Sequence, residues 1–336
     1  MAARPQPGQA QVRRGVGWKR RRALRSAGMS HADPPVARPP VLALDIGGTK
    51  MVAGLVAGDG QVAASTRVDT PAGADAEALF DVVESLLTGQ LDMQQSAITG
   101  GPVELCGIGC GGPMTRGGEA VSPLNIGGWR GFPLRSRVAA LTGLPTWADN
   151  DAKALTRAEG WFGAAAGVSN FVGMVVSTGV GGGIVLDGRM LDGADGNAGH
   201  IGHMVVEPGG RPCVCGASGC LEAEASGTAI AAITGHPAAE ARPATVERSG
   251  AMVGRAVASV ANLLDLRLAV VAGSVALGFG DPFFAAAQAE MDRSCRLDHS
   301  RGAEIRRAGL GADAPLVGAA CVAWAGAGFA PPAPSR

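Results

Sequence analysis

The sequence predicts an α/β protein of two lobes facing a cleft, with a cysteine-dense loop in the second lobe. Three observations predict it. Short apolar runs of strand length alternate with segments of helical period along most of the chain. A unit of strand, glycine turn and strand occurs twice, about 130 residues apart, which points to duplicated lobes. The 336 residues, 46% of them hydrophobic, are long for one core and sufficient for two.

Residues 41–46 form a continuous apolar run that reads as a buried strand. Gly47-Gly48-Thr49 is a tight turn, 50–57 a second strand, Gly58-Asp59-Gly60 a second turn, and 61–69 a third strand, together an antiparallel meander. Ala78, Leu79, Val82, Val83 and Leu86 give 74–87 a helical stripe. Residues 103–109 read as a strand, 133–141 as a helix, 145–149 as a strand and 151–162 as a helix. The theme then recurs: strand 170–177, glycine turn 178–183, return strand 184–187. A helix starts at Leu221, another covers 253–266, a strand 268–272 turns at Gly273-Ser274 into further helix, and 314–327 closes as an apolar helix.

His203, Cys213, Cys215 and Cys220 fall within eighteen residues. Three sulfurs and one imidazole nitrogen are the ligand set of a closed tetrahedral zinc site, which leaves no position for a reactive water and so is structural. Gly216 and Gly219 let the chain turn back to deliver Cys220. The alternative is a set of small apolar thiols without a metal. Cys106, Cys110, Cys295 and Cys321 make no disulfide framework, which fits a reducing cytoplasm, and Cys106 and Cys110 read as core or turn residues.

The 29 basic and 29 acidic residues balance, but nine basic residues lie in the first forty positions against one acid, Asp33. The remainder carries a net charge of −8, which argues against nucleic acid as the main partner. Residues 1–40 lack the apolar core of a secretory signal and read as a disordered extension, or as leader to a start at Met29, with a nucleic-acid arm as the alternative. No apolar run reaches membrane-spanning length.

Asp45-Ile46-Gly47-Gly48-Thr49-Lys50 puts an acid at a strand end before two glycines and a hydroxyl. Backbone N–H groups of such a turn can face phosphate oxygens, and Asp45 could hold a magnesium ion. Thr178-Gly179-Val180-Gly181-Gly182-Gly183 offers similar chemistry on the other lobe. Neither has Walker spacing, and each alone reads equally as a plain hairpin turn. Asp149-Asn150-Asp151 opens a helix, so either carboxylate can also be read as a cap.

Together these residues resemble the ROK family of sugar kinases and sugar-responsive repressors, within the actin-like (ribonuclease H-like) superfamily. The resemblance is carried by Asp45-Ile46-Gly47-Gly48-Thr49-Lys50, Asn150-Asp151-Ala152, the glycine stretch from Ser177 to Gly183, Gly202-His203, and Cys213-x-Cys215-Gly216-x-x-Gly219-Cys220-x-Glu222. It spans roughly residues 41–328. It implies a small lobe of 41–148 plus 312–328, a large lobe of 149–311 holding zinc loop 203–220, and a disordered tail at 329–336. It implies ATP, Mg2+ and structural Zn2+ as cofactors, a homodimer, and no nucleic-acid or membrane partner.

By the same resemblance Asp151 is the general base toward a sugar hydroxyl. Asn125, Asn150, His200, His203 and Glu222 contact the sugar. Asp45, Gly47, Gly48, Thr49, Lys50, Thr178, Gly179, Gly181, Gly182 and Gly273 hold ATP and magnesium. His203 serves zinc through one ring nitrogen and substrate through the other. Trp129 reads as packing, and Gly273-Ser274 reads equally as an ordinary turn.

Most glucose-phosphorylating relatives carry a glutamate where this chain has His200. The Gly199-His200-Ile201-Gly202-His203 and Asn125-Ile126-Gly127-Gly128 forms resemble bacterial N-acetylmannosamine kinases, and an imidazole donor would suit an N-acetyl carbonyl. The plainer reading makes His200 a loop residue pointing elsewhere. The expected reaction is ATP-dependent phosphorylation of a hexose or N-acylhexosamine, foremost the 6-hydroxyl of N-acetylmannosamine, with a glucokinase as alternative. A sugar-responsive regulator is the alternative of another class. The 44 residues before Asp45 are shorter than a DNA-reading domain needs.

Overall fold

The computed structural model describes residues 37–93 and 98–332. Positions 1–36 of the expected basic extension, and the tail from 333, lie outside the described residues.

Two five-stranded mixed sheets form the framework. The first contains β1 (Val41–Ile46), β2 (Lys50–Val56), β3 (Val62–Asp69), β4 (Leu105–Cys110) and β5 (Thr146–Asn150), in the order β3-β2-β1-β4-β5. The second contains β6 (Phe171–Val176), β7 (Val180–Leu186), β8 (Arg189–Met190), β9 (Leu268–Ala272) and β10 (Glu304–Arg307), in the order β8-β7-β6-β9-β10. The two orders are the same plan used twice. In each, an antiparallel hairpin is followed by parallel strands added on the other side of its first strand. The repeated strand–turn–strand unit in the sequence is the hairpin that starts each sheet.

Burial explains the composition of the strands. All six residues of β1 are buried because helices cover both faces of the sheet, so an uninterrupted apolar run is needed there. β3, at the sheet edge, alternates between half-buried and exposed positions. On one face lies α1 (Ala76–Leu91), started by the Asp75 side chain accepting from Ala78 N at 2.9 Å. α2 (Leu134–Thr142) adds Leu134 and Val138 to the same core. On the other face lie α3 (Asp151–Phe162) and α9 (Ala314–Gly326). Gly107 on β4 lets α9 approach, since a Cβ there would stand 1.9 Å from the Ala319 carbonyl oxygen. α3 continues to the second sheet, whose outer face is covered by α6 (Pro243–Leu264) and α8 (Asp281–Ser294).

Several boundaries differ from the sequence reading. The glycine turn of 178–183 is shorter than expected, because Gly181, Gly182 and Gly183 belong to β7 and pair with Val175, Met174 and Gly173. α3 is the reason. A Cβ at Gly173 would lie 2.3 Å from Thr156 Oγ1, one at Gly183 2.8 Å from the same atom, and one at Gly181 2.8 Å from the Ala152 methyl carbon. Those glycines let a helix lie against the strands.

The helix expected from 253 begins ten residues earlier, at Pro243, whose fixed φ suits a first helical position. The helix after the zinc loop is broken at Ser226 into α4 (Leu221–Ala225) and α5 (Gly227–Thr234), with the Ser226 hydroxyl capping α5. α7 (Ser274–Phe279) follows Gly273. Residues 37–40 and 329–330 fall in segments expected to lack structure, but they are held. Arg38 stacks over Trp161, Phe162 and Trp324 and donates to the Gly58 carbonyl, while the Trp324 indole donates to Pro39 O. Phe329 N donates to Trp324 O.

Candidate active site

The C-terminal ends of β1, β4 and β5 bring the first group of site residues together. Asp45, Gly109 and Asp149 occupy one register row across the three strands. Gly109 is the low point of that row. A Cβ on it would meet Asp45 Oδ1 at 3.3 Å and Asp151 Cα at 3.7 Å, so both acids converge over it. Gly47 N donates to Lys50 O, and the Thr70 hydroxyl donates to Gly47 O, closing the turn after β1. Thr49 is exposed at its tip, while Lys50 is half-buried and lies near enough to attract Asp45. Asn125 sits over Gly48 and Gly111, and a Cβ on Gly48 would stand 2.8 Å from Asn125 Nδ2.

Burial governs the acids. Desolvation, and then repulsion from Asp151, push Asp45 from an ordinary 3.8 up to about 7, against the attraction of Lys50. Among the described residues no protein donor hydrogen-bonds the Asp45 carboxylate. A buried acid without donors suits a divalent cation, so these residues fit magnesium. Asp151 is likewise raised, chiefly by desolvation. The Ala152 N–H, which donates to Asp151 Oδ1 at 2.9 Å, and the nearby His200 ring oppose the rise.

The helix cap falls to neither aspartate. Asn150 is the cap of α3, its Oδ1 accepting from Ala152 N at 3.0 Å and Lys153 N at 3.3 Å. Asp149 instead pairs with Lys153 at 3.1 Å and Arg157 at 3.7 Å. Asn150 therefore keeps only its amide nitrogen free, and a Cβ on Gly112 would meet that nitrogen at 3.3 Å and His200 Nε2 at 3.2 Å. His200 thus points toward Asn150 and Asp151, not away from the site. Its Nδ1 lies 2.8 Å from the Asn197 carbonyl oxygen and so carries the proton. In a neutral ring Nε2 is then an acceptor, and in a protonated ring a second donor.

His203 stacks near His200, with ring centroids 6.2 Å apart. Its Nδ1 lies 3.6 Å from Cys213 Sγ, and Cys215 Sγ lies 3.7 Å from Cys220 Sγ. All four ligand atoms are within 4.8 Å of one another. Tetrahedral zinc with arms of about 2.3 Å to sulfur and about 2.1 Å to nitrogen has edges of about 3.8 and 3.6 Å, so the residues fit the ion. The loop is shaped for this independently of metal. Gly219 sits at φ +76°, and a Cβ there would stand 1.8 Å from Glu207 O. Glu224, fully buried, accepts from the Arg211 backbone and from both the Arg211 and Arg248 guanidiniums at 2.6–2.7 Å. Burial works to raise its pKa, but those donors outweigh burial and hold it below the ordinary value.

The second group lies at the β6–β7 turn. Glu222 Oε2 accepts from Val180 N at 2.9 Å, and a Cβ on Gly179 would meet that oxygen at 2.8 Å. The Thr178 carbonyl accepts from both the backbone and hydroxyl of Thr228, and the Ser177 and Ser274 hydroxyls pair at 2.9 Å. Gly273, at φ +100°, sits where a Cβ would strike Val176 O at 2.3 Å. α3 joins the two groups, because Ala152 supports Gly181 one residue after Asp151.

A family model described as the ROK family matches residues 41–325. The chain belongs to the ROK family. Within it, an N-acetylmannosamine kinase of Shigella flexneri is 39% identical over 257 residues, 71% of this chain and 84% of that protein. Among solved structures, a ROK hexokinase from Thermus thermophilus aligns at TM-score 0.72 and 32% identity, over 86% of this chain and 99% of its own. A ROK family glucokinase from Streptomyces griseus, in complex with glucose and AMPPNP, aligns at TM-score 0.73 and 30% identity, over 84% and 99%.

Set on this ROK fold, Trp129 is a packing residue, fully buried and stacked on Phe132. Cys106 and Cys110 are core residues. Three residues in contact with site residues were missing from the sequence reading: Lys153 on Asp149, Asn197 on His200 and Thr228 on Thr178. Only Lys153 had a local signal, its spacing of four from Asp149 across the start of a helix.

Proposed function

We propose that this chain transfers the γ-phosphoryl group of ATP to the 6-hydroxyl of an N-acylhexosamine, N-acetylmannosamine foremost, with Asp151 as general base. It is a sugar kinase of the ROK family; the acceptor and the residue roles are the proposal. The observation that carries it is the convergence of Asp45 and Asp151 over Gly109, with Asn150 and His200 beside them.

Phosphoryl transfer needs alignment and charge neutralisation more than covalent chemistry. Asp151 has one oxygen on Ala152 N and the other available to take the hydroxyl proton. Burial raises its pKa, which makes its carboxylate a stronger proton acceptor than an ordinary one. Asn150 donates its amide N–H to a sugar oxygen, since its carbonyl is committed to the helix cap. His203 presents Nε2 to the sugar because Nδ1 faces the cysteines. Glu222 has one oxygen fixed by Val180 N and the other for a sugar hydroxyl. Asn125 reaches the same space across Gly48 and Gly111.

Thr178, Gly179 and Gly273 on one side, and Gly47, Gly48, Thr49 and Lys50 on the other, form the nucleotide surface. Gly181 and Gly182 contribute from within β7. Asp45 would hold Mg2+, which offsets phosphate charge when bound. His203, Cys213, Cys215 and Cys220 would hold Zn2+, which fixes the orientation of His203.

The test is ADP release from Mg-ATP with N-acetylmannosamine, N-acetylglucosamine, mannose, glucose and fructose. Highest kcat/KM with N-acetylmannosamine is expected. Highest kcat/KM with glucose would replace the acceptor, and no turnover with any sugar would defeat the reading.

A further inference from the structure

The Cys3His loop has two parts with different supports. Its base carries His203 and Cys220 and is joined by main chain: Val205 bridges Cys220, and Leu221 N donates to Met204 O at 2.9 Å. Arg255 of α6 adds to the base by donating to Val206 O at 2.7 Å. The tip, residues 211–219, carries Cys213 and Cys215 and is folded on itself. Cys213 N donates to Ala217 O, and Gly219 N to Arg211 O, both at 2.8 Å. The returning stem of the tip meets the base where Gly219 O accepts from Val206 N at 2.9 Å.

The outgoing stem, at Arg211, is held to the rest of the protein by one side chain, that of Glu224 on α4. Its Oε1 accepts from Arg211 N at 2.7 Å, and its Oε2 accepts from Arg211 Nη1 at 2.6 Å. Arg248 of α6 backs the pair, donating to Glu224 Oε2 at 2.6 Å and to Glu224 O at 3.0 Å. Glu224 is fully buried, and a Cβ on Gly210 would stand 2.4 Å from its Oε1, so the stem is built to admit the carboxylate. A buried charge is costly unless it is paired, and this one is paired to the chain two residues before Cys213. Glu224 lies outside the set of four ligand atoms, and both its oxygens are committed to these donors. It therefore acts on the ligands through Arg211.

We propose that Glu224 is a positioning residue for the metal site: by clasping Arg211 to α4 it holds Cys213 and Cys215 within reach of His203 and Cys220 before the ion arrives, and so sets the zinc affinity of the loop. This rests on the zinc reading of the cluster and not on the acceptor sugar. Ligands already in place need no ordering when the metal binds, so affinity falls when the clasp is opened.

The experiment uses the full chain as wild type, Glu224→Gln and Arg211→Gln. Glutamine at 224 keeps the shape but turns an amide N–H2 toward the guanidiniums. Glutamine at 211 removes the guanidinium arm at a half-exposed position, where folding is not at stake. Zinc affinity is read by competition with a chromophoric chelator, and amide exchange of the zinc-free proteins by NMR. Glu224→Gln should bind zinc about tenfold more weakly, and Arg211→Gln should show a smaller loss in the same direction. Without zinc, the Cys213 and Gly219 amides should exchange faster in both variants, while the Leu221 amide keeps its protection. Unchanged zinc affinity in both variants, or unchanged exchange at Cys213 and Gly219, would overturn the inference and leave the zinc site standing. Equal loss of protection at Leu221 would also overturn it, since that is a general loosening of the fold. A wild type that binds no zinc would overturn the zinc reading, and this inference with it.

Discussion

Replacing Asp45 by Asn is expected to abolish activity and at the same time to flatten the pH dependence of stability. The carboxyl of Asp45 is 9% exposed and titrates at about 7 instead of 3.8. Its folded pKa lies above its unfolded one, so the folded state favours the protonated acid. That contribution is complete below about pH 4 and is lost as pH rises through about 7. Three units correspond to about 4 kcal/mol in full, and about 3 kcal/mol of that falls between pH 5 and pH 8. Asparagine has the same shape and does not titrate. Urea unfolding of metal-free protein at pH 5, 6.5 and 8 is the assay. Wild type should lose about 3 kcal/mol more than Asp45→Asn across that range. Excess Mg2+ should recover part of the loss in wild type alone, by binding the ionised acid in the folded state. Equal slopes for the two proteins would refute the argument that Asp45 is a desolvated acid awaiting a cation.

Other outcomes follow from single contacts. Asp151→Asn should lower kcat by a factor of about 100 to 10,000, read as ADP release, while calorimetry finds sugar still bound. Cys215→Ser should bring zinc content per chain close to zero by elemental analysis. It should raise the sugar KM several-fold with little effect on the ATP KM, because His203 loses its anchor. Gly107→Ala should destabilise by about 1–3 kcal/mol or more in urea, because α9 must move off β4.

The elements themselves were readable because their causes are local. β1 is an unbroken apolar run, α1 carries its own cap at Asp75, and the turn glycines sit between apolar strands. The Cys3His cluster was readable because residue type and close spacing are sequence properties. α8, β8 and β10 had weaker signals: β8 spans two residues and β10 four, largely charged.

The sequence by itself determined a repeated two-sheet plan, a Cys3His cluster, and acids at strand ends next to glycine turns. Those follow from residue type and short-range spacing. Only the tertiary structure decided that Gly173, Gly181 and Gly183 yield to Thr156 and Ala152, that Asn150 caps α3 in place of Asp149, and that His200 Nδ1 meets the Asn197 carbonyl. It alone set the acidity of Asp45, and it alone joined Asn197 to Met114, 83 residues away. Desolvation and tautomer choice depend on which distant atoms surround a group, and neither period nor composition encodes that neighbourhood.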